Sequence, residues 1–394
     1  MTALIPTCDD DIIEAIRLAR SERASIAVEG QGTKREMGRP MQAKRVLSMR
    51  GMSGITLYEP AELVLSAQAG TPVAEVEATL AARGQMLPFE PMDYRPLLGS
   101  TGEPTMGGLT AANLSGPRRI MAGACRDSLI GTRFINGRGE AVKSGGRVMK
   151  NVTGLDLART MAGSWGTLGV LTDVTFKLLP RPETTLSVVF HGLDDQQAVA
   201  LMAAALGSPF EVSGAAHLPV GIDRIAMTLL RLEGFAASLA YRAERLRGLL
   251  APFGRCDIIE QAASTSLWAQ IRDVRWFCEP RSEAIWRISV PPSKAPAMLA
   301  QISAGRRIRH MLDWGGGLVW ISTAPTDLAG SELIRQAVRQ AKGHALLVRA
   351  SEGARGTDGT FEPLAPAVLA LSTGLKKSFD PDHVLNPGRM YSGV

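Results

Sequence analysis

Aromatic residues are scarce in this chain: 10 Phe, 6 Trp and 4 Tyr make up 5% of its 394 positions. That supply is too thin for a platform on which nucleic-acid bases stack. Charge of one sign is also in short supply, with 44 Lys and Arg against 38 Asp and Glu for a net of +6, and no dense basic block tracks a phosphate backbone. No nucleic-acid partner is expected. Apolar runs are short, none of them near the ~20 residues that a membrane-spanning helix requires. The four cysteines, Cys8, Cys125, Cys256 and Cys278, form no C-x-x-C pair, which argues against a zinc ribbon and against iron–sulfur ligation by this chain. His191, His217, His310, His344 and His383 show neither i,i+4 nor H-x-H spacing, so no metal site is expected. Asp9, Asp10 and Asp11 stand where a secretory signal needs a basic start and an apolar core. The expected location is cytoplasmic, with at most peripheral contact to the inner face of the membrane through partners.

What is present is length, glycine and alternating secondary structure. At 394 residues the chain exceeds the roughly 250–300 at which a single core stops growing, so two or more packed units are expected. A hydrophobic content of 45% with 21% charge excludes wholesale disorder. Residues 9–20 set Ile12, Ile13 and Ile16 on one helical face behind an acidic first turn. Short β-type runs follow at 25–30, 45–50, 54–60 and 63–70, then a helix in which Thr71 can cap, Pro72 takes the first position and Gly84 stops the chain. TRFI, NGRG and EAVK from residue 132 read as a hairpin, Gly154 to Ala162 as a short helix, and GVLTDVTFKLL as a strand with Val170, Thr172, Val174 and Phe176 on one face. LPRPE at 179–183 marks a boundary. Beyond it, a strand-helix-strand-strand-helix-strand order over 184–259 is repeated over 285–349, which predicts one antiparallel sheet covered by helices. In the helix at 235–250, Phe235, Leu239, Leu246 and Leu250 are spaced for burial, with Arg242, Arg245 and Arg247 outside.

Three glycine-rich segments punctuate the first half. VEGQGTK places Gly30 and Gly32 after an apolar strand, where successive main-chain N–H groups can converge on phosphate oxygens without a β-carbon in the way. It is not G-x-G-x-x-G, since Arg35 stands at the third glycine position. GEPTMGGLTAANLSG (102–116) approaches a Walker A spacing but has Gly108 where the lysine belongs, so a nucleotide-triphosphate loop is rejected. KNVTGLDLARTMAGSWGTLGVLTDV carries Lys150, Asn151 and Asp156, then Gly163, Gly166 and Gly169 entering the strand. Any one segment alone reads equally as tight packing or a turn. Together, and within a stretch of 97–131 too rich in small residues for an idle connection, they point to an ordered binding site.

The order of these motifs, from V-x-G-x-G-T through G-G-x-x-A-x-N-x-x-G, R-D-x-x-x-G and K-N-V-x-G-x-D to G-T-L-G-V, resembles the FAD-binding domain of the vanillyl-alcohol oxidase and p-cresol methylhydroxylase family over roughly residues 20–182. LWAQIRDVRWF (267–277), IWRISVPP (285–292), DWGGGLVW (313–320) and FDPDHVLNPGRMY (379–391) extend the likeness, and over nearly its full length the chain is similar to the FAD-binding subunits of bacterial glycolate oxidases. The resemblance implies an α+β fold: a two-subdomain FAD-binding domain at 1–182, a cap domain with an antiparallel sheet for substrate or subunit contact at 183–375, and a tail at 376–394 returning to the flavin domain. It implies Gly30, Gly32 and Thr33 as pyrophosphate contacts and Thr105, Gly107, Gly108, Ala112 and Gly116 as neighbours of the diphosphate and flavin. Gly166, Thr167, Gly169 and Val170 would hold the adenosine, with Asp127 and Asn386 as further contacts. FAD is expected to bind non-covalently, because Thr33 and Lys34 occupy the stretch where related oxidases carry a tethering histidine. Glu29 departs from the neutral or basic residue common before the loop, and an anion there opposes a diphosphate unless it points away.

The implied activity is oxidation of the small 2-hydroxy acid glycolate to glyoxylate. The implied partners are a catalytic flavin subunit and an iron–sulfur subunit, and electrons would leave through them. Such chemistry needs a base, a hydride acceptor and usually an arginine for the carboxylate. The H-x-G-D-G-N type motif of the catalytic partner is absent, and Arg275, Arg287 and His310 are the candidates here. Alternation sends Arg287 opposite to Trp286 and Ile288, which suits a ligand contact, an exposed strand position or an internal ion pair. Two other functions remain open: a non-catalytic scaffold that assembles the complex, and a stand-alone FAD oxidoreductase for another hydroxy or sugar acid.

Overall fold

The computed structural model describes residues 2–146, 155–221, 224–325, 330–357 and 359–394. The Lys150-Asn151 pair of the third glycine-rich segment lies outside them. The chain divides into two compact units: Met1–Ser115 with Gly123–Arg181 and Pro363–Val394, and Gly116–Ala122 with Pro182–Glu362.

In the first unit the opening helix runs Asp9–Ser21, its acidic first turn matched to the helix dipole and Asp11 accepting from the Thr7 main chain at 2.8 Å. Ile12, Ile16 and Ala19 face inward onto Ile26, Leu47, Val170 and Leu385. Ile26 and Leu47 come from a parallel three-stranded sheet in the order Thr2–Leu4, Arg45–Ser48, Ile26–Glu29. An antiparallel five-stranded sheet follows, ordered Ile55–Glu59, Val64–Gln68, Gly169–Lys177, Leu129–Asn136, Ala141–Gly145. The central strand Gly169–Lys177 is buried on both faces, Leu171 as well as Val170, Val174 and Phe176. Alternation alone assigned it one apolar face; its central place in the sheet accounts for the second.

The chain re-enters this unit at Pro363, upstream of residue 376, so the whole helix Pro366–Phe379 belongs to it. The cause is Lys376, fully buried, whose ammonium donates to the carbonyls of Thr167 and Leu385 and to Asp380, each at 2.7 Å. The tail then lies beside the parallel sheet, with Ile26 N–H donating to the Val384 carbonyl at 2.8 Å.

The second unit is built on one eight-stranded sheet, ordered Cys256–Glu260, Thr184–His191, Met227–Gly234, Val212–Leu218, Ile308–Asp313, Leu318–Thr323, Ala284–Ser289, His344–Arg349. Numbered within each repeat, the strands run 4-1-3-2 and then 2-3-1-4, two copies of one motif joined through their second strands, where His217 pairs with Leu312. The predicted repeat and single sheet are both present. Two details differ. Phe235 is 75% exposed, while Arg242 is buried, donating to Glu211 at 2.9 Å and to the Phe210 and Glu233 carbonyls. A guanidinium turns inward when enough acceptors meet it. The helix Gln261–Arg272 is an element beyond the expected order; its residues Ser264, Leu267, Trp268 and Ile271 repeat at helical spacing and are all buried.

Candidate functional site

The strand Ile26–Glu29 ends in the loop of the first glycine-rich segment, where Gly32 adopts the left-handed region at φ +75°. The main-chain N–H groups of Gln31, Gly32, Thr33 and Lys34 find no acceptor among the described residues. Consecutive unsatisfied amides around a left-handed glycine form a concavity suited to an anion. Glu29 does not oppose it: Arg35 takes its carboxylate at 2.6 and 3.1 Å. Arg389 from the tail holds the loop in shape by donating to the carbonyls of Lys34 and Arg35 at 2.9 and 3.1 Å.

The second segment lies directly against this loop. A β-carbon at Gly30 would collide with Thr105 Oγ1, and one at Gly102 would lie 2.8 Å from the Gln31 carbonyl. Thr105 caps the short helix Met106–Ala112 by accepting from Gly108 N–H at 3.2 Å. Gly107 N–H donates to the Ala69 carbonyl at 2.8 Å, and Gly107 packs on Ala69. The amides of Gly107 and Gly108 are thus already engaged, and the donors left without an acceptor are those of Gln31–Lys34. What the double glycine supplies is space: the bare face of Gly108 looks onto the Lys34 ammonium, 3.8 Å from the place its β-carbon would take.

Lys34 received no role from the sequence, although a cation directly after the loop was visible there. Its side chain is partly exposed, and partial burial pulls its ammonium down to about 8, with Asp93 opposing the shift. The ammonium has no hydrogen-bond or ion-pair partner among the described residues.

The third segment packs against the second. Gly163 N–H donates to Thr110 at 3.2 Å and Trp165 N–H to Ala111 at 2.9 Å, while Gly166, at φ +71°, packs on Val28 and Asn386. The three segments therefore converge. Asn386 ties them together, accepting from Val28 N–H at 2.8 Å and donating to the Trp165 carbonyl at 2.7 Å. Thr167, Gly169 and Val170 are buried, Thr167 donating to the Ser164 carbonyl at 2.7 Å and Val170 lying in the core. Ala112 is half-buried on the short helix. Asp127 is exposed and caps Cys125–Ser128 by accepting from Ala124 N–H at 2.9 Å. Gly116 clusters with the second unit, where its carbonyl accepts from the Trp314 indole at 3.0 Å.

Of the three catalytic candidates, none is brought beside another. Register aligns Arg287 with Trp320 and Met311 on one face of the sheet, and His310 with Ile321 and Trp286 on the other, helix-covered face. Arg275 lies in the 3-10 turn Arg275–Phe277 with its side chain 45% exposed, 4.0 Å from Asp273. The group around Arg287 is more suggestive: its guanidinium lies 5.1 Å from the Trp314 ring, and that of Arg119 lies 4.5 Å from it. Trp314 sits at φ +53°, a strained position for an aromatic residue, in the DWGGG turn. Arg119 and Trp314 were missed because only the folded sheet brings residue 119 to residue 314.

His310 instead forms part of a clasp across the junction of the two repeats. Asp195 accepts from His310 Nε2 at 2.9 Å and lies 3.5 Å from Nε2 of His217, whose Nδ1 meets the Thr228 hydroxyl at 2.9 Å. Burial pushes His217 down to about 4, against the opposing pull of Asp195. The unfolded chain takes up a proton near 6.5 and the folded chain only near 4, so this contribution is complete above about 6.5 and is lost as pH falls through that window. The denaturation midpoint of the second unit should drop between those pH values, and His217→Gln should flatten the slope. A variant with an unchanged slope would remove His217 as the cause.

Residues 2–145 match the family model described as FAD binding domain. The chain is 36% identical over 393 residues to glycolate oxidase subunit GlcE of Escherichia coli (strain K12), covering 99% of each. It is 27% identical over 237 residues to glycolate oxidase subunit GlcD of Bacillus subtilis (strain 168), covering 59% of this chain and 47% of that one. The fold is that of p-cresol methylhydroxylase solved with substrate bound, at a TM-score of 0.73 and 13% identity over 100% of this chain and 88% of that one. No helix among the described residues is long and apolar enough to cross a membrane.

Proposed function

We infer the function from one premise: this chain belongs to the family of FAD-linked oxidoreductases that contains glycolate oxidase subunit GlcE. FAD is its cofactor. The observation that carries the rest is the convergence of the three glycine-rich segments on one nest of unsatisfied amides with an ammonium at its edge. That arrangement fits a dinucleotide diphosphate. The chain acts as the FAD-binding subunit of a glycolate oxidase or dehydrogenase, supporting oxidation of glycolate to glyoxylate beside a catalytic flavin subunit and an iron–sulfur subunit. Bound FAD supplies hydride acceptance. The chain's own contribution is to hold the diphosphate at Gln31–Lys34, to seat the adenosine end by the Gly163–Val170 segment, and to neutralise Glu29 through Arg35. Binding is non-covalent, since Thr33 and Lys34 offer no tethering imidazole. Arg287 and Arg119, fixed on Trp314, are the groups suited to a substrate carboxylate.

The chain purified alone should be yellow, should release its flavin unchanged on denaturation, and should be bleached by glycolate only when its partners are present. A second reading, an assembly scaffold, has its own support in the helix Pro366–Phe379. There Val368, Leu371 and Leu375 stand 47%, 75% and 36% exposed at i, i+3 and i+7, a stripe suited to a partner subunit. A colourless chain that still assembles with its partners would favour the scaffold. Bleaching of the isolated chain by glycolate would instead make it self-sufficient.

A further inference from the structure

We propose that the ammonium of Lys34 closes the Gln31–Lys34 amide nest as the counter-ion of the FAD diphosphate, making it the residue through which this chain selects a phosphorylated flavin. The inference rests on the FAD reading above and deepens it. Main-chain amides supply partial charges only, whereas a diphosphate linker carries two full negative charges; a positioned cation is what the nest lacks. Lys34 lies at the end of that nest, and its ammonium has no hydrogen-bond or ion-pair partner among the described residues. The nearby acids are taken: Glu29 by Arg35 at 2.6 Å, and Asp93 by Arg95 at 2.9 Å.

Two features bear on where the ammonium can lie. Gly108, with no side chain, leaves open the space beside Nζ, 3.8 Å from where a β-carbon would stand. Arg389 pins the Lys34 carbonyl at 2.9 Å, so the side chain extends from a fixed main chain. The ammonium shares its nearest opposing charge, Asp93, with Arg95, so arrival of the diphosphate gives it an anion of its own. Burial already draws the ammonium down to about 8 in the flavin-free chain. A bound diphosphate raises that value, so binding takes up protons once pH exceeds about 8, and affinity then falls by at most about tenfold per pH unit.

The test uses the full chain stripped of flavin, titrated with FAD and followed by flavin fluorescence at pH 7 and pH 9. Lys34→Met should bind FAD about 10- to 100-fold more weakly at pH 7, the loss of one charge-assisted contact. Wild type should weaken from pH 7 to pH 9, Lys34→Met should lose that dependence, and Lys34→Arg should bind with a flat profile because its guanidinium stays charged. Flavin-free Lys34→Met should melt no earlier than wild type, since it has shed an unpaired charge. An affinity for FAD in Lys34→Met within threefold of wild type, or the same pH profile in both, overturns this inference while leaving the FAD reading intact. A wild-type chain that takes up no FAD under either condition sinks both.

Discussion

Asp380→Ala should destabilise the first unit by about 3–5 kcal/mol, the cost of leaving a buried cation without its partner. Asp380 and Lys376 are both fully buried, 2.7 Å apart. The carboxylate also accepts from the main chain of Val384 at 3.0 Å and Leu385 at 2.8 Å, and Gly137 packs against it so closely that no β-carbon fits there. Removing it loosens the tail at the point where Leu385 meets Ile26, and the Asn386 side chain that joins Val28 to Trp165 loosens with it. Flavin release on heating should therefore shift down together with the unfolding transition. The double variant Lys376→Met with Asp380→Ala should recover part of the loss, because an apolar replacement of both partners leaves no charge stranded. A single Asp380→Ala variant within 1 kcal/mol of wild type would show that the pair adds little to the fold.

Gly107→Val should abolish flavin retention while leaving the second unit folded. The added β-carbon would lie 2.7 Å from Ala69 Cβ and 2.9 Å from its carbonyl oxygen, both fixed by the adjoining strand, so the backbone has to give. Overpacking of this kind costs about 1–3 kcal/mol. Its larger consequence is local: the loop carrying Thr105 and Gly108 is pushed from the place where Gly30 and Lys34 meet it. Gly248→Ala is the control. It sits in the helix Ala236–Leu250 with nothing within 4 Å of the new β-carbon, and it should keep its flavin and gain about 0.5–1 kcal/mol. Visible absorbance of each purified variant against wild type decides the matter. Full flavin content in Gly107→Val would mean that the loop tolerates the displacement and that this contact does not shape the site.

The repeat of strand and helix over 184–259 and 285–349 could be read at sight, because alternation and 3.6-residue spacing are local properties of the chain. The glycine-rich segments were equally plain. Their hydrogen bonding was not: only the fold shows the amides of Gly107 and Gly108 engaged by Ala69 and Thr105, while those of Gln31–Lys34 find no acceptor among the described residues. Likewise Arg242 had the spacing of a solvent-facing residue, and the Glu211 carboxylate with two carbonyls drew it inside.

By itself the sequence determined the element order, the internal duplication, the flavin-binding class and the three stretches of backbone left bare by glycine, since each is written within a few consecutive residues. Only the tertiary structure decided that those stretches meet, that Lys34 stands unpaired among them, that Arg287 and His310 occupy opposite faces of one sheet, and that Arg119 reaches Trp314. The physical reason is that hydrogen-bond satisfaction and desolvation depend on every neighbour in space. A residue's own segment supplies only part of that surrounding, so an amide or a charge left without a partner cannot be recognised until the chain has closed around it.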